Sequence, residues 1–481
     1  MFEASVWQDI CGELTALLQR LLRIDTTNPP GDERACADAL GEALAADGIA
    51  FEIIESAPQR ANLICRLRAS DSHGGNSGGG GGGGGPNDGD RGGGGSENDE
   101  RATHRALLLA GHLDVVPAGE LSRWKHGPFS GDLADGMIWG RGAVDMKDMV
   151  AMSAMVVKLM RRFDVPLRRD LVFAAVADEE EGCAFGSRFL VENHPDKIAA
   201  GYGIGEIGGF PQRAGRATII PVQVAEKGIC WMRMRARGEA GHGSMPRPDS
   251  AVHRLARAIA RLEKPLPQRN TPAVESFVSA LAAAQPAPER FVLPLLLNGT
   301  VSPLLLAKLL PPEQARLFGA LLRNTVSPTM LEAGSKTNVI PDEASAILDG
   351  RLLPGQTSAD LLAQLRAHLD DPGLEFEVIR EAPGTVTDPH QTELWRAIDD
   401  EISDAVGLPT VPSVIPGFTD GGQLSRLGIR WYGFSPLWLD PEDPNLRFSD
   451  LFHGYNERVP EDGLHWGLER LFNVVHRFCA A

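Results

Sequence analysis

The segment DMKDMVAMSAMVVKLMRRF, residues 145–163, decides the fold class, because it is a helical segment between two predicted strands. Its apolar side chains recur at helical spacing, at Met149, Val156, Leu159 and Met160. Continuous apolar runs at residues 106–110 and 171–177 flank it, and such runs are typical of buried parallel strands. Strand, helix and strand in this order predict a βαβ unit and an α/β domain with a mostly parallel sheet.

A second unit follows inside the longer chain. Residues 222–238, VQVAEKGICWMRMRARG, predict one long alternating strand, and a helical pattern comes after it. A Pro-punctuated, mostly helical stretch runs to about residue 324, before another strand pair and helix. We therefore expect an inserted α+β domain at residues 223–372, between two parts of a catalytic α/β domain at 1–222 and 373–481.

Composition and charge limit the classes of molecule that the protein is expected to bind. The chain has 481 residues, 43% of them hydrophobic, and a formal net charge of −17 from 47 basic and 64 acidic side chains. Such an acidic balance opposes binding to nucleic acid and to anionic membrane surfaces. Six cysteines without a CxxC pair predict reduced thiols. The N-terminal stretch lacks the basic and apolar regions of a signal peptide, so we expect a cytoplasmic protein.

Two stretches have unusual composition. Residues 70–105 hold much of the chain's total of 54 glycines and predict a disordered, Gly-rich insertion in a surface loop. They lack the GxxxxGK[ST] spacing of a phosphate-binding loop. Residues 291–310 are apolar, but Pro294 and Pro303 interrupt them, which disfavours a membrane span. We expect a buried helix there, or an interface.

Polar residues follow both predicted strands of the βαβ unit. His112 and Asp114 come directly after the first strand, and the acidic run 178–181 follows the second. Ligands bind at the carboxyl ends of strands in open α/β sheets, and imidazoles and carboxylates are ligands of divalent metals. A solvated acidic surface is the structural alternative for the acidic run. The same His-Leu-Asp tripeptide at 368–370 ends a helical pattern, so we interpret it as structural.

Three further candidates have structural alternatives as well. Asp145 lies in a glycine-rich turn before a helix, where an aspartate is also a common N-cap. Glu206 lies in GYGIGEIGGF, whose glycines also spell GxGxxG, but no helical pattern follows, so a dinucleotide site is excluded. His453 lies on a loop before the last helix, where a single histidine is often structural.

Taken in chain order, these motifs resemble the co-catalytic dizinc metallopeptidase and amidohydrolase family of acetylornithine deacetylase, succinyl-diaminopimelate desuccinylase, aminoacylase and glutamate carboxypeptidase. The resemblance covers about residues 19–478 outside the glycine tract. It rests on the phrases GRGAVDMK, ADEEEG, EAGHGSMP, KTNVIPDEASAILDGRLLPG and FHGYNERVP. It implies a zinc-hydrolase catalytic domain with a ferredoxin-like lid and dimerisation domain.

The resemblance also implies a cofactor of two Zn²⁺ ions, which Co²⁺ or Mn²⁺ could replace. The implied metal ligands are His112, Asp145, Glu180, Glu206 and His453. Asp145 would bridge the metals, with His112 and Glu206 on one ion and Glu180 and His453 on the other. Glu179 would be the general base, Asp114 would orient His112, and the Asp145–Met146 peptide bond would be cis. Glu181 leaves the register open, and the spacing to Gly182 favours Glu179 and Glu180.

In the lid, the resemblance implies that His242 reaches the active site of a neighbouring subunit and stabilises the oxyanion that forms there. We therefore expect a homodimer whose interface is the lid domain. Asn338 and Arg351 would hold a substrate carboxylate, and Thr419, with Asp420, matches a substrate-side loop loosely.

The implied function is hydrolysis of the amide bond of small N-acyl amino acids or dipeptide-like substrates through a metal-bridging hydroxide. An aminoacylase or carboxypeptidase restricted to one metabolite is an alternative within enzymes. A catalytically silent family member that binds metal or a ligand, or serves in regulation, is the alternative outside enzymes.

Overall fold

A computed structural model describes residues 2–69 and 106–481 of the protein. The Gly-rich insertion predicted at residues 70–105 lies outside the described residues. A strand lies on either side of the insertion, one ending at Leu67 and the other, which the apolar run at 106–110 predicts, beginning at Leu107.

The strands are β1 (Phe51–Ala57), β2 (Arg60–Leu67), β3 (Leu107–His112), β4 (Asp132–Ala134), β5 (Met137–Trp139), β6 (Leu171–Val176), β7 (Tyr202–Gly205), β8 (Gln212–Ala214), β9 (Ala217–Glu226), β10 (Gly228–Arg237), β11 (Gly241–His242), β12 (Thr325–Ala333), β13 (Val339–Ile340), β14 (Glu343–Leu352), β15 (Leu374–Ala382), β16 (Thr410–Ile415), β17 (Arg430–Gly433) and β18 (Arg458–Pro460). The α-helices are α1 (Ala4–Leu22), α2 (Arg34–Ala45), α3 (Lys147–Arg162), α4 (Ser187–Asn193), α5 (Pro195–Ile198), α6 (Ala251–Arg261), α7 (Pro272–Ala284), α8 (Glu289–Val292), α9 (Ser302–Lys308), α10 (Pro312–Leu321), α11 (Ser358–Leu369), α12 (Glu393–Val406), α13 (Asp420–Leu424), α14 (Phe448–Leu451) and α15 (Glu461–Cys479). Short 3₁₀ helices lie at Leu121–Arg123, Leu293–Leu297, Pro389–Gln391 and Ser425–Leu427.

The larger sheet has the strand order β1-β2-β6-β3-β7-β17-β9-β16, and β8 pairs with β9. Its centre is parallel, since β3 pairs in parallel with β6 and β7, and β7 with β17. Every residue of β3 and β6 is buried, as their continuous apolar runs predict. The predicted α/β fold with a mostly parallel sheet is therefore confirmed. The carboxyl ends of β3, β6 and β7 meet at one edge of this sheet.

Helix α3 of the βαβ unit lies between the sheet and the helices α1 and α15, and it is buried from Lys147 to Met160. The ammonium group of Lys147 finds partners inside this core. Lys147 Nζ donates to the carbonyl oxygen atoms of Leu21 and Ile24 at 3.0 and 2.8 Å. Such pairing is required when a charged side chain is buried.

The smaller sheet is antiparallel, with the order β12-β14-β10-β15. One of its faces packs on helices α6 and α11 around a second hydrophobic core, which includes Met232, Leu255, Leu348 and Leu365. Every second residue along β14 is buried, which is the pattern of a sheet that is covered on one face only. The expected α+β lid domain is therefore present as a separate layer of the molecule.

The segment that connects the larger sheet to the smaller sheet differs from the prediction. The single long strand expected at residues 222–238 is wrong, because β9 ends in the larger sheet at Glu226 and β10 begins in the smaller sheet at Gly228. Lys227 between them is fully buried, and its Nζ donates to the carbonyl oxygen of Arg323 at 2.9 Å. The chain leaves the smaller sheet after Ala382. The domain limits at 223–372 stay a prediction, and strand membership favours limits near 227 and 382.

The helical stretch from α7 to α10 lies within the chain of the second unit but packs on the larger sheet. Phe277 and Leu281 of α7 share a hydrophobic cluster with Val411 and Val414 of β16. The expected buried helix at residues 291–310 is wrong, because the prolines divide this stretch into short helices that cannot turn all their apolar side chains inward. Phe291, for example, is 71% exposed.

No helix within the described residues is long and apolar enough to cross a membrane. The structure describes all six cysteines, and each is buried and unpaired. The prediction of free thiols is therefore confirmed.

Candidate metal centre

The predicted metal ligands lie together at the edge where the parallel strands end. His112 is the last residue of β3, the acidic run 178–181 follows β6, and Glu206 follows β7. Asp145 reaches the same edge from the turn before α3, and His453 from the loop after α14. Parallel strands place their carboxyl ends side by side, which explains how ligands far apart in the chain meet.

Asp145 presents a different carboxylate oxygen to each imidazole. Its Oδ1 lies 3.1 Å from His112 Nε2, and its Oδ2 lies 3.2 Å from His453 Nε2. Glu206 Oε2 is 3.8 Å from His112 Nε2, and Glu180 Oε2 is 3.2 Å from His453 Nε2. Asp145 is therefore shared by two ligand groups, one with His112 and Glu206 and the other with His453 and Glu180. The Asp145–Met146 peptide bond is cis, as the resemblance implies.

The chemistry of this cluster fits divalent cations. Ligand-type atoms of His112, Asp145 and Glu180 lie within 4.8 Å of one another, and so do those of His112, Glu179 and Glu206. Glu180 Oε1 is buried without a hydrogen-bond partner among the described residues. Four carboxylates beside two imidazoles leave an excess of negative charge, which is costly to bury without cations. Carboxylate and imidazole ligands suit Zn²⁺, Mn²⁺ and Co²⁺.

Crowding of the carboxylates perturbs their proton affinities. Burial, followed by repulsion from the Glu206 carboxylate, raises the pKa of Glu179 well above its usual range. Burial raises the pKa of Glu206 to about 7. Hydrogen bonds with Asp145 and Glu180 raise the pKa of His453 to about 10. Burial thus favours the protonated carboxyl groups, and the neighbouring carboxylates favour the protonated imidazole of His453. A bound cation would favour the opposite protonation states.

The Asp114 carboxylate holds the loop that carries two of the candidate residues. Its Oδ1 accepts from the backbone N–H of Glu179 at 3.1 Å, and its Oδ2 from that of Glu180 at 3.2 Å. His112 Nδ1 lies 2.9 Å from the backbone carbonyl oxygen of Asp114 but 3.7 Å from its Oδ1. The closer orienting contact to His112 is therefore the carbonyl oxygen, and the carboxylate bonds to the loop.

A buried network that sequence reasoning missed supports Asp114. Asn28 Nδ2 donates to Asp114 Oδ2 at 2.8 Å and to Asp178 Oδ1 at 2.9 Å. Arg60 Nη2 donates to Asp178 Oδ1 at 2.7 Å, and its Nε to Glu33 Oε2 at 2.9 Å. The NPPG phrase around Asn28 indicates a turn, and no periodicity relates it to a carboxylate far along the chain.

A second missed residue connects the smaller sheet to this loop. Arg380 of β15 donates through Nη2 to the carbonyl oxygen of Gly182 at 2.6 Å and through Nη1 to that of Glu181 at 3.2 Å. Gly182 has a positive φ of +94°, and a Cβ there would clash with the Arg380 guanidinium. The glycine after the acidic run therefore admits an arginine from the other sheet.

The lid residues His242 and Asn338 lie close together, because His242 ends β11 and Asn338 comes directly before β13. β11 pairs with β13, and the backbone N–H of Gly243 donates to the Asn338 carbonyl oxygen at 2.9 Å. Both side chains are exposed, and His242 Nδ1 lies 2.7 Å from Ser244 Oγ. Among the contacts of the described residues, none joins His242 to the metal centre of its own chain.

Arg351 and Thr419 are the other two predicted substrate residues, and they lie where the smaller and the larger sheet approach each other. Arg351 Nε is 2.8 Å from Asp349 Oδ1, and its guanidinium carbon is 5.9 Å from the centre of the Phe418 ring. Thr419 is buried, and its Oγ1 donates to Glu226 Oε2 at 2.7 Å. The substrate roles of Arg351 and Thr419 stay predictions.

Comparison with known proteins agrees with this geometry. Residues 108–477 match the family described as Peptidase family M20/M25/M40. The chain is 31% identical over 378 residues to a probable carboxypeptidase S-like 2 of Dictyostelium discoideum, covering 74% of this chain and 68% of that protein. It is 29% identical over 388 residues to the N-fatty-acyl-amino acid synthase/hydrolase PM20D1 of Homo sapiens, covering 76% and 73%.

Solved structures share the fold. An M20 family metallo-carboxypeptidase of Sulfolobus solfataricus superposes with a TM-score of 0.64 at 18% identity, over 97% of this chain and 99% of that one. A dinuclear metal-binding M20 peptidase of Bacillus subtilis gives a TM-score of 0.56 at 12% identity, over 97% and 98%. The matched segment spans the positions of all five candidate metal ligands, whose roles stay predictions. The predicted resemblance and hydrolase class are confirmed. The protein belongs to peptidase family M20/M25/M40.

Proposed function

We propose that the protein is a dizinc hydrolase that cleaves the amide bond of small N-acyl amino acids or dipeptide-like substrates. The observation that carries the proposal is the position of Asp145, whose two carboxylate oxygens face His112 and His453 separately. Relatives named as a carboxypeptidase and as an N-fatty-acyl-amino acid synthase/hydrolase support this substrate class.

The cation sites follow from the two groups of ligand-type atoms. Asp145 Oδ1, His112 and Glu206 would hold one cation, and Asp145 Oδ2, His453 and Glu180 the other. Two bound cations would supply Lewis-acid polarisation of the amide carbonyl and a lower pKa for the attacking water. We infer Zn²⁺, with Co²⁺ or Mn²⁺ as substitutes, because imidazole and carboxylate ligands suit all three.

Glu179 is the proposed general base. Its Oε2 would accept a proton from the attacking water and return that proton to the departing amine. The Glu179 side chain is buried, with Oε2 4.0 Å from His112 Nε2, whereas Glu180 contacts His453. The hydrogen bonds from both backbone amides to Asp114 would keep the two glutamates in these separate positions.

The lid would complete the site from a second copy of the chain. His242 and Asn338 are exposed, and their contacts lie within the lid, so we propose that they serve the active site of a partner subunit in a homodimer. Arg351 and Thr419 would lie on the substrate side of the cleft. Unpaired thiols support a cytoplasmic location for this enzyme.

Metal loading followed by hydrolysis assays tests the proposal. Metal-free protein is reloaded with Zn²⁺, Co²⁺ or Mn²⁺, its metal content is measured, and it is assayed on dipeptides and on N-acyl amino acids of increasing acyl length. We expect about two ions per chain and hydrolysis within this panel. Stoichiometric metal with no hydrolysis of any substrate would favour the catalytically silent alternative, and failure to bind metal would contradict the proposed centre.

A further inference from the structure

Glu457 connects the two loops that deliver Asp145 and His453. It lies four residues after His453, and its backbone carbonyl oxygen accepts from the N–H of Gly140 at 3.0 Å. Strand β18, which begins at the next residue, pairs with β5 in the segment that leads to Asp145. The Glu457 side chain is fully buried in this junction.

The Glu457 carboxylate binds the backbone of the bridging aspartate directly. Its Oε1 accepts from the backbone N–H of Val144 at 2.9 Å and from that of Asp145 at 3.2 Å. Its Oε2 accepts from Arg141 Nη1 at 2.6 Å. Hydrogen bonds to an ionised acceptor are roughly twice as strong as those between neutral groups. Arg141 supplies the counter-charge that a buried carboxylate needs.

The location of these hydrogen bonds matters because Asp145 belongs to both ligand groups. Its two oxygens lie 3.1 and 3.2 Å from the imidazoles of His112 and His453. A shift of the Asp145 backbone would therefore disturb both groups at once. A shift of the His453 loop would be transmitted to Asp145 through the same carboxylate.

We propose that Glu457 is a positioning residue of the metal centre, which fixes the backbone of Asp145 relative to the His453 loop. It would set the geometry of both cation sites without binding a cation itself. The inference rests on the proposed function only in taking Asp145 as a metal ligand.

Two variants of Glu457 and a matched control test this role. Glu457→Gln keeps the shape but loses the charge, and Glu457→Asp keeps the charge but retracts it by about 1.5 Å. Glu401→Gln is the control, because Glu401 is likewise a buried carboxylate, located between α12 and α15. Glu401 Oε1 lies 3.2 Å from Arg470 Nε and accepts a hydrogen bond from Asn473 Nδ2 at 2.9 Å. The measurements are metal retained on dialysis against a chelator, the absorption spectrum of the Co²⁺-loaded protein, thermal unfolding, kcat and KM.

Both Glu457 variants are expected to bind metal about 10- to 100-fold more weakly, the usual effect of removing a partner that orients a ligand. Their Co²⁺ spectra should change, and kcat should fall while KM changes little. Glu401→Gln should lose thermal stability but retain the metal and the wild-type Co²⁺ spectrum.

Wild-type metal retention and Co²⁺ spectra in both Glu457 variants, with only a lower Tm, would overturn the positioning role alone. Wild-type metal binding by Glu457→Asp would also overturn the positioning role, because a negative charge that is too far away for the same hydrogen bonds would then be sufficient. Failure of the wild-type protein to bind metal when it is reloaded with Zn²⁺ or Co²⁺ would overturn the proposed function as well, so the two failures are distinguishable.

Discussion

Glu179 and Glu180 are adjacent in the chain but have different surroundings. Glu180 Oε2 lies 3.2 Å from His453 Nε2, whereas Glu179 Oε2 lies 4.0 Å from His112 Nε2. Burial raises the pKa of both carboxyl groups, and the Glu206 carboxylate raises that of Glu179 further. Neighbouring residues can differ in this way because the loop after β6 is held by Asp114 through both of their amides. One glutamate can then bind metal while the other moves a proton.

Substitution should separate these two roles. We expect Glu179→Gln to retain both metal ions and to lose hydrolysis by about 10²- to 10⁴-fold, the usual contribution of a general base. Glu180→Gln should instead lose bound metal. Metal content and kcat measured on both variants check this assignment, and full activity of Glu179→Gln would show that another group is the base.

The Arg60 guanidinium is the cation shared by two buried acids behind the site. It lies 2.7 Å from Asp178 and 2.9 Å from Glu33, and all three side chains are almost wholly buried. Arg60→Met should lower the free energy of unfolding by about 3–5 kcal/mol, because it leaves buried charges uncompensated. Arg34→Met is the control, since Arg34 makes its ion pairs at the surface, where little change in stability is expected. Urea unfolding that gives equal values for both variants would contradict this account.

At the scale of elements, α15 closes the core by packing beside α1 and α3. His465 of α15 faces α1, where its Nε2 lies 2.9 Å from Thr15 Oγ1, which also donates to Glu461. Burial lowers the pKa of His465 below its usual 6.5, although Glu461 and Asp462 act in the other direction. The helix contact therefore favours the neutral imidazole.

This shift predicts acid sensitivity of the helix pair. Because the folded-state pKa of His465 is lowered, the unfolded chain takes up the proton more readily. The stabilisation is present above pH 6.5, the unfolded value, and is lost as the pH falls through the folded value. The Tm of the wild type should therefore fall more steeply from pH 8 to pH 5 than that of His465→Gln. Parallel curves for the two proteins would exclude His465 as the group responsible.

At the scale of the whole molecule, the larger sheet fixes the distance between the two strands that the Gly-rich insertion connects. Leu67 and Leu107 both pair with Leu171, one from each side of β6. Two strand spacings separate them by about 10 Å. A connection of about four to six residues can bridge this distance.

Replacing residues 70–105 with such a short linker should therefore preserve the fold and the activity. Thermal unfolding and kcat/KM of the shortened protein, compared with the full chain, check this expectation. A large loss of kcat/KM with an unchanged Tm would instead assign the insertion a direct part in substrate handling.

A lid that serves the neighbouring subunit makes a quantitative prediction. Glu179→Gln and His242→Ala homodimers should each be nearly inactive. If their subunits exchange at random, half of the dimers are mixed, and each mixed dimer has one intact site, so the mixture should recover about one quarter of wild-type activity. No recovery, despite subunit exchange shown by native mass spectrometry, would place His242 in the site of its own chain.

The sequence by itself determined the βαβ order, the parallel sheet, the α+β insertion and the set of candidate ligands. These features are local, because strand and helix periodicity and the phrases around His112, Asp145 and Glu206 are each contained in a few consecutive residues. The end of each parallel strand then indicated where the ligands would meet.

Only the tertiary structure decided the contacts that hold these ligands in place. Asn28 meets Asp178, Arg380 meets Gly182, and Glu457 binds the backbone of Asp145. It also showed that β9 and β10, continuous in hydrophobic pattern, belong to different sheets. Such pairings join positions far apart in the chain, and they depend on how buried charges and amides are satisfied in three dimensions, which no local pattern records.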